Sequence, residues 1–337
     1  MDTSKAYLRP LRYAVQFGFF LLTLFIGYRF YQFVQHFEVP GHPFVQRPDS
    51  VDAFLPIGGL MAFKYFLLTG IVEPVHPAGF ILFVAVLGVS LVMKKGFCGW
   101  ICPIGTVSQY TWMAGEKLFG RNFRIGPFTD IALRSIKYLL LGFFVLLIGV
   151  AMASNMMLLF FITDYYKVVD VRMMKFFTEM STLTMWVLIA LATLSLLYKN
   201  FWCRYLCPYG ALLGLLSRLS PFKVRRNEDA CGHCQACTKN CPALIDVEKK
   251  DVVKSAECFG CLTCVSRCPQ EGALELTIKA GKKVRKISPW LYPVVLLVLF
   301  YLVIGIGMLT DKWHSKIPYE EYQRLIPEVQ KEYVQNR

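Results

Sequence analysis

Five apolar blocks, at roughly 13–33, 77–95, 136–161, 182–199 and 289–309, constrain this 337-residue chain more than any other feature. Each is close to or above the about 20 residues with which a helix crosses a bilayer. The chain is 55% hydrophobic and 18% charged, whereas a soluble domain carries about 25% charged residues. The first block is too long for the apolar core of a cleavable signal and lacks a small-residue cleavage site. Residues 54–71 (FLPIGGLMAFKYFLLTGI) are apolar but short, and Pro56, Gly58, Gly59 and Lys64 interrupt them. A re-entrant or interfacial helix fits them better than a span.

Lys/Arg bias orients the blocks. Lys5, Arg9 and Arg12 lead the chain. Lys94, Lys95, Lys117, Arg121, Arg124, Arg134 and Lys137 lie between the second and third blocks, against Glu116 and Asp130. Arg225, Arg226, Lys282, Lys283, Arg285 and Lys286 flank a cysteine-rich segment. All three regions fall on one side, which is therefore expected to be the cytoplasm, with the N-terminus inside and the C-terminus outside. The formal charge of +14 is explained by this topology, by anionic lipid or by an acidic partner. No nucleic-acid motif is present, and no nucleic acid is expected as a partner.

The 12 cysteines form four groups with none left over. Two are Cys231, Cys234, Cys237, Cys241-Pro242 and Cys258, Cys261, Cys264, Cys268-Pro269, each spaced C-x2-C-x2-C-x3-C-P. In paired runs of this kind the fourth cysteine ligates the other cubane cluster. One [4Fe-4S] cluster is thus expected on Cys231, Cys234, Cys237 and Cys268, and a second on Cys258, Cys261, Cys264 and Cys241. Three close cysteines with a distant fourth, twice over, is not the two-plus-two spacing of a zinc site. Cluster thiolates call for a reducing compartment, in agreement with the charge bias. No C-x-x-C-H is present, so no c-type haem is expected. The five histidines, His36, His42, His76, His233 and His314, all lie outside the apolar blocks, so a haem b between two membrane histidines is not expected either.

The other four cysteines sit in an internal repeat. KKGFCGWICPIGT (94–106) matches KNFWCRYLCPYGA (199–211), pairing Cys98 with Cys203, Cys102 with Cys207, Pro103 with Pro208 and Gly105 with Gly210. Positions i and i+4 share a helix face, and the prolines should break or kink the chain just beyond. Brought together at the inner membrane edge, Cys98, Cys102, Cys203 and Cys207 would form a third cluster site, a pair of redox dithiols, or plain packing. Phe97, Trp100, Trp202 and Tyr205 read as an interfacial aromatic belt. The expected fold is a membrane all-α bundle of about five transmembrane helices, with two parallel two-helix repeats and an inserted cytoplasmic α+β twin-cluster ferredoxin domain. Its parts are a transmembrane unit 1–211, including the re-entrant segment 54–71, the ferredoxin domain 212–288, a fifth transmembrane helix 289–309 and a periplasmic tail 310–337.

Two membrane C-x3-C-P motifs followed by a twin-cluster ferredoxin segment resemble the membrane iron–sulfur proteins of the NapH and NosR type, over about residues 10–275. The oxidase-assembly protein CcoG is a related branch. The resemblance implies quinol oxidation coupled to a periplasmic or respiratory partner, in the inner membrane of a bacterium or archaeon. The chain departs from the family by lacking an outer flavin-binding domain of the NosR kind, and by continuing into a fifth block and an outer tail. On this footing it is expected to be a quinol-oxidising or quinone-reducing electron-transfer subunit, linking the quinone pool to other subunits of a redox complex such as a periplasmic cytochrome or reductase. The alternative is an assembly or maturation factor that reduces a metal ion or a disulfide for a respiratory enzyme through the four membrane-edge cysteines.

A quinone needs an apolar slot, a proton acceptor and a cluster within reach. An inner-leaflet site near Pro103 and Pro208 satisfies the last condition. His76 and Glu73, near Lys64, are candidate proton acceptors, although loop residues of this kind are commonly solvated. Trp313, His314, Tyr319, Tyr322 and Leu325 in the tail would suit partner docking, or simply an amphipathic tail.

Overall fold

A computed structural model describes residues 7–280 and 283–335, so Lys5 and Lys282 of the charge reading lie outside the described residues. The chain divides into two compact units. One comprises Met1–Leu21, Val86–Leu141 and Leu191–Phe300, the other Leu22–Ala85, Gly142–Ala190 and Tyr301–Arg337. Every boundary between them falls inside a helix: Leu8–Glu38, Pro77–Met93, Pro127–Leu146, Thr182–Leu197 and Leu291–Leu309.

The chain is mostly helical, and among the described residues three helices are long and apolar enough to cross a membrane, Leu8–Glu38, Pro127–Ala151 and Leu291–Leu309. Val169–Thr178 and Thr182–Leu197, bent by 77°, would make a fourth as one broken span. Pro77–Met93 is apolar but only 17 residues long. Phe17, Leu21, Leu24, Phe25 and Tyr28 on the first helix are left exposed, as lipid-facing side chains would be. The segment 54–71 forms the helix Pro56–Thr69, started by a proline at its first turn and ended by left-handed Gly70.

The block 136–161 is not one helix. Pro127–Leu146 runs into a widened turn at Leu147–Ala151, and a separate helix follows at Ser154–Phe161. Lys64 explains the break: its ammonium donates to the carbonyls of Ile148 (2.9 Å) and Met152. Backbone acceptors freed by the widened turn are thereby satisfied without water.

The second unit has two apolar cores. Phe30, Phe33, Val34, Val51, Val171, Tyr322, Leu325 and Ile326 form one, and Met61, Tyr65, Ile148, Met157, Phe161 and Tyr166 the other. The tail helix Tyr319–Gln335 buries its apolar stripe in the first of these. Tyr322 and Leu325 are thus buried within their own chain, and Trp313 is buried as well. They are not a free docking surface; the amphipathic reading of the tail holds.

In the first unit an antiparallel sheet closes the cysteine-rich segment. β1 (Phe222–Arg226) pairs with β2 (Leu274–Ala280), and β2 with β3 (Lys283–Lys286). Val224 faces Leu276 and Phe222 faces Ile278. Because β1 precedes the cysteine loops and β2 follows them, their pairing fixes both ends of residues 227–273.

Candidate functional site

The cysteine loops carry a second, smaller repeat. Gln235 and Leu262, each just after the second cysteine of its run, adopt left-handed backbone (φ +59° and +54°) and precede the one-turn helices Ala236–Lys239 and Thr263–Ser266. This reversal turns successive cysteines towards one space, and two cavities result. One, of about 320 Å³ including its solvent-side opening, is lined by Cys231, Cys234, Cys237 and Cys268 with Gly232, Gln270 and Leu274. The other, of about 390 Å³ on the same measure, is lined by Cys241, Cys258, Cys261 and Cys264 among apolar Val224, Ile245, Val253 and Leu262. The fourth cysteine of each run thus lines the other run's cavity. The two surroundings differ: Cys234 is exposed and beside His233, whereas burial pushes the Cys241 thiol up to about 12.

The membrane-edge motifs share one local design. Cys102 N–H donates to the Phe97 carbonyl and Cys207 N–H to the Trp202 carbonyl, at 2.9 and 3.0 Å, closing the same five-residue turn in each copy. The second cysteine is therefore not one helical turn above the first. It caps the next helix, Pro103–Phe119 or Pro208–Leu216, whose first residue is the proline. The proline starts a helix here instead of breaking one, because a first-turn residue needs no N–H donor. Gly210 N–H donates to Cys207 Sγ at 3.2 Å. Both sulfurs thus sit at a helix N-terminus, which favours negative charge. A Cβ on Gly105 would lie 2.5 Å from the Cys98 carbonyl oxygen, so glycine is required there.

Several contacts tie the loop 241–263 to these motifs. Trp100 Nε1 donates to the Gly260 carbonyl (3.1 Å), Arg12 to Thr263 Oγ1 (3.1 Å) and to the Gly99 carbonyl (3.0 Å), and Asn200 to the Pro242 carbonyl (2.9 Å). Arg204 donates to the Ala243 carbonyl (2.7 Å) and to both oxygens of Asp130 (2.8 and 2.9 Å), and Tyr205 OH donates to Asp130 (2.6 Å). Trp100 and Tyr205 are buried tethers, so the aromatic-belt reading fails for them. Three of the seven basic residues between the second and third blocks, Lys94, Lys95 and Lys137, are likewise buried.

The cysteine sets lack the close spacing of a single zinc ion. A tetrahedral zinc with Zn–S bonds of about 2.3 Å holds its sulfurs about 3.8 Å apart. Among the described residues, no three cysteine sulfurs lie within 4.8 Å of one another. A cubane spreads its four ligands over separate irons and needs wider spacing.

His76 and Glu73 are not solvated loop residues. Both are buried in the second unit with Arg47, Asp52, Tyr166 and Asp170. Arg47 reaches Asp49 (3.1 Å), Asp52 and Asp170 (2.7 Å). His76 bonds Asp52 (3.0 Å) and the Tyr166 carbonyl (2.9 Å), and Glu73 accepts from the Val75 and His76 N–H groups and from Tyr166 OH. Asp52, His76 and Asp170 offer three close ligand atoms, but the Arg47 guanidinium already bridges them. Sequence reasoning missed Arg47, Asp52 and Asp170, the last of which lies more than a hundred residues from the other two. Their one signal was charge next to apolar residues.

A family model described as "4Fe-4S binding domain" matches residues 75–125 and again 178–227, and a "4Fe-4S dicluster domain" matches 223–273. YccM of Escherichia coli K12, a protein provisionally named for electron transport, is 42% identical over 321 residues, covering 94% of this chain and 90% of YccM. That length extends beyond residue 290, into the helix Leu291–Leu309 and the tail. The ferredoxin-type protein NapH of Haemophilus influenzae is 28% identical over 57% of this chain and 63% of NapH. The regulatory protein NosR of Stutzerimonas stutzeri is 28% identical over 65% of this chain but only 30% of NosR. No solved structure matches significantly. The doubled membrane motif, the dicluster loops and these relatives converge: the chain belongs to the NapH/NosR-type family of membrane polyferredoxins, proteins of iron–sulfur electron transfer.

Proposed function

We propose that this protein is a three-cluster wire between the quinone pool and a redox partner complex. Cys98, Cys102, Cys203 and Cys207 would hold a [4Fe-4S] cluster at the inner membrane edge, Cys241, Cys258, Cys261 and Cys264 a second, and Cys231, Cys234, Cys237 and Cys268 a third. Bound clusters would supply one-electron redox chemistry. The protein's own part is to hold the cysteine sets in line, exclude water from the inner two and leave the last accessible. The observation that carries this reading is the packing of the loop 258–263 on Gly99 and Trp100 of the first membrane motif. A Cβ on Gly99 would lie 2.6 Å from the Phe259 carbonyl oxygen, so the two cysteine segments meet backbone to backbone. Exposed Cys234 marks the partner end of the wire.

In this reading quinol binds near Pro103 and Pro208 in the inner leaflet. Five spans keep the N-terminus and the ferredoxin segment in the cytoplasm and the tail outside. The four basic residues that remain exposed or half-buried between the second and third blocks, Lys117, Arg121, Arg124 and Arg134, still support that orientation. The test is anaerobic iron and acid-labile sulfide with EPR of the reduced protein, in the wild type and in Cys98→Ser/Cys203→Ser. About twelve iron atoms per chain falling to about eight, with loss of quinol oxidation, is expected. About eight in both refutes the membrane-edge cluster, and zinc in place of iron refutes the wire.

A further inference from the structure

Among the described residues, Lys95 is the one lysine whose ammonium is buried with no hydrogen-bond partner. Its side chain is 1% exposed, the nearest carboxylate oxygen, on Glu257, is 3.9 Å away, and the Phe259 ring lies 5.1 Å off. Glu257 is already committed: Lys137, fully buried, takes both of its oxygens at 2.7 and 2.8 Å. Two buried ammonium groups therefore share one carboxylate. A net buried charge of this kind is costly unless an opposite charge is near.

The missing negative charge has an evident place. Lys95 lies one helical turn before Cys98, at the start of the short helix Gly96–Trp100. Lys94, next in the chain but with left-handed backbone (φ +60°), turns the other way. It donates to the Ser255 carbonyl at 3.3 Å. The equivalent of Lys95 in the second repeat is Asn200, neutral and bonded to the Pro242 carbonyl at 2.9 Å. The turn that presents the cysteines forms in both copies, so the fold of the motif does not itself require a cation there.

We infer that Lys95, backed by Lys137, is the fixed counter-charge of the cluster on Cys98, Cys102, Cys203 and Cys207, and that it holds that cluster's reduction potential above the value the same four thiolates would give without it. The inference rests on the three-cluster reading above. Reduction adds one electron to an already anionic group; no bond forms or breaks and no proton has to move. The reduced, more negative state gains more from a fixed positive charge than the oxidised state does, which raises the potential. Lys95 is a positioning residue in this sense, not a catalytic one.

The experiment is redox titration followed by EPR, with iron analysis, on cluster-loaded full-length wild type, Lys95→Met and Lys95→Arg. The expected result is about twelve iron atoms in all three. The membrane-edge midpoint falls in Lys95→Met and returns in Lys95→Arg; the cluster on Cys258, whose neighbour Phe259 lies against Lys95, shifts less and in the same direction, and the third midpoint stays in place. An unchanged set of midpoints in Lys95→Met at full iron overturns the inference. If Lys95→Met loses about four irons that Lys95→Arg keeps, the charge is needed to hold the cluster, which supports the same role. Loss in both variants means that Lys95 acts by shape, and overturns it. About eight irons in the wild type is a different failure, that of the three-cluster reading itself.

Discussion

Stability should fall with rising pH because of one buried imidazole. His76 is 2% exposed, with Nδ1 3.0 Å from Asp52 and Nε2 2.9 Å from the Tyr166 carbonyl. Nδ1 faces the Asp52 carboxylate, with the Arg47 guanidinium also near, and Nε2 faces the Tyr166 carbonyl. Burial pulls its pKa down and Arg47, 3.2 Å from Nδ1, adds to that, but Asp52 prevails and the value rises from 6.5 to about 9. A folded-state pKa above the unfolded one gives stability that is fully present below about 6.5 and lost as pH climbs through about 9. At about 1.4 kcal/mol per pH unit that gap is worth about 3 kcal/mol. For a chain of this size, with about 2–4 °C per kcal/mol, it corresponds to about 6–12 °C in Tm. The assay is thermal unfolding of the detergent-solubilised protein between about pH 6 and 10, in wild type, His76→Gln and Asp52→Asn. The wild type should lose most of that margin across the window, and both variants should be nearly flat there. A wild-type slope that persists in His76→Gln would refute the reasoning, since some other group would then carry it.

Further tests concern the membrane-edge turn and its tethers. Gly105→Ala places a Cβ 2.5 Å from the Cys98 carbonyl oxygen, whereas at Gly210 the nearest atom is 3.5 Å away. The first should cost about 1–3 kcal/mol and lower membrane-edge iron; the second should be neutral or gain up to about 1 kcal/mol of helix propensity, both read by Tm and iron content. Arg204→Ala removes the pair with Asp130 and the bond to the Ala243 carbonyl. It should cost about 3–5 kcal/mol and open residues 222–286 to limited proteolysis; an unchanged digestion pattern would count against Arg204 as a tether.

Much of the site was legible because covalent spacing dictates it. The runs Cys231–Cys241 and Cys258–Cys268 fold locally, and the exchange of their fourth cysteines follows from the two-cluster geometry; the cavities bring together those same sets. The 94–106 and 199–211 match was visible as a repeat, and the same family model matches both copies. The shape of the turn was not legible. Helical spacing placed Cys98 and Cys102 on one face, but a proline directly after a tight turn can equally begin a helix, and here it does.

What stayed out of reach was the fate of individual charges. A lysine beside an apolar block reads as a surface marker, because most lysines are exposed. Lys94, Lys95 and Lys137 are buried, and their partners Ser255 and Glu257 lie more than a hundred residues away. Glu73 and His76, adjacent to a helix start, read as loop residues until Asp52 and Tyr166 enclose them. Apolar block length and cysteine spacing are local properties, and the sequence alone determined both. Which charges face water and which face each other is a long-range property, and only the tertiary structure decided it, since burial energy is set by neighbours that chain order does not reveal.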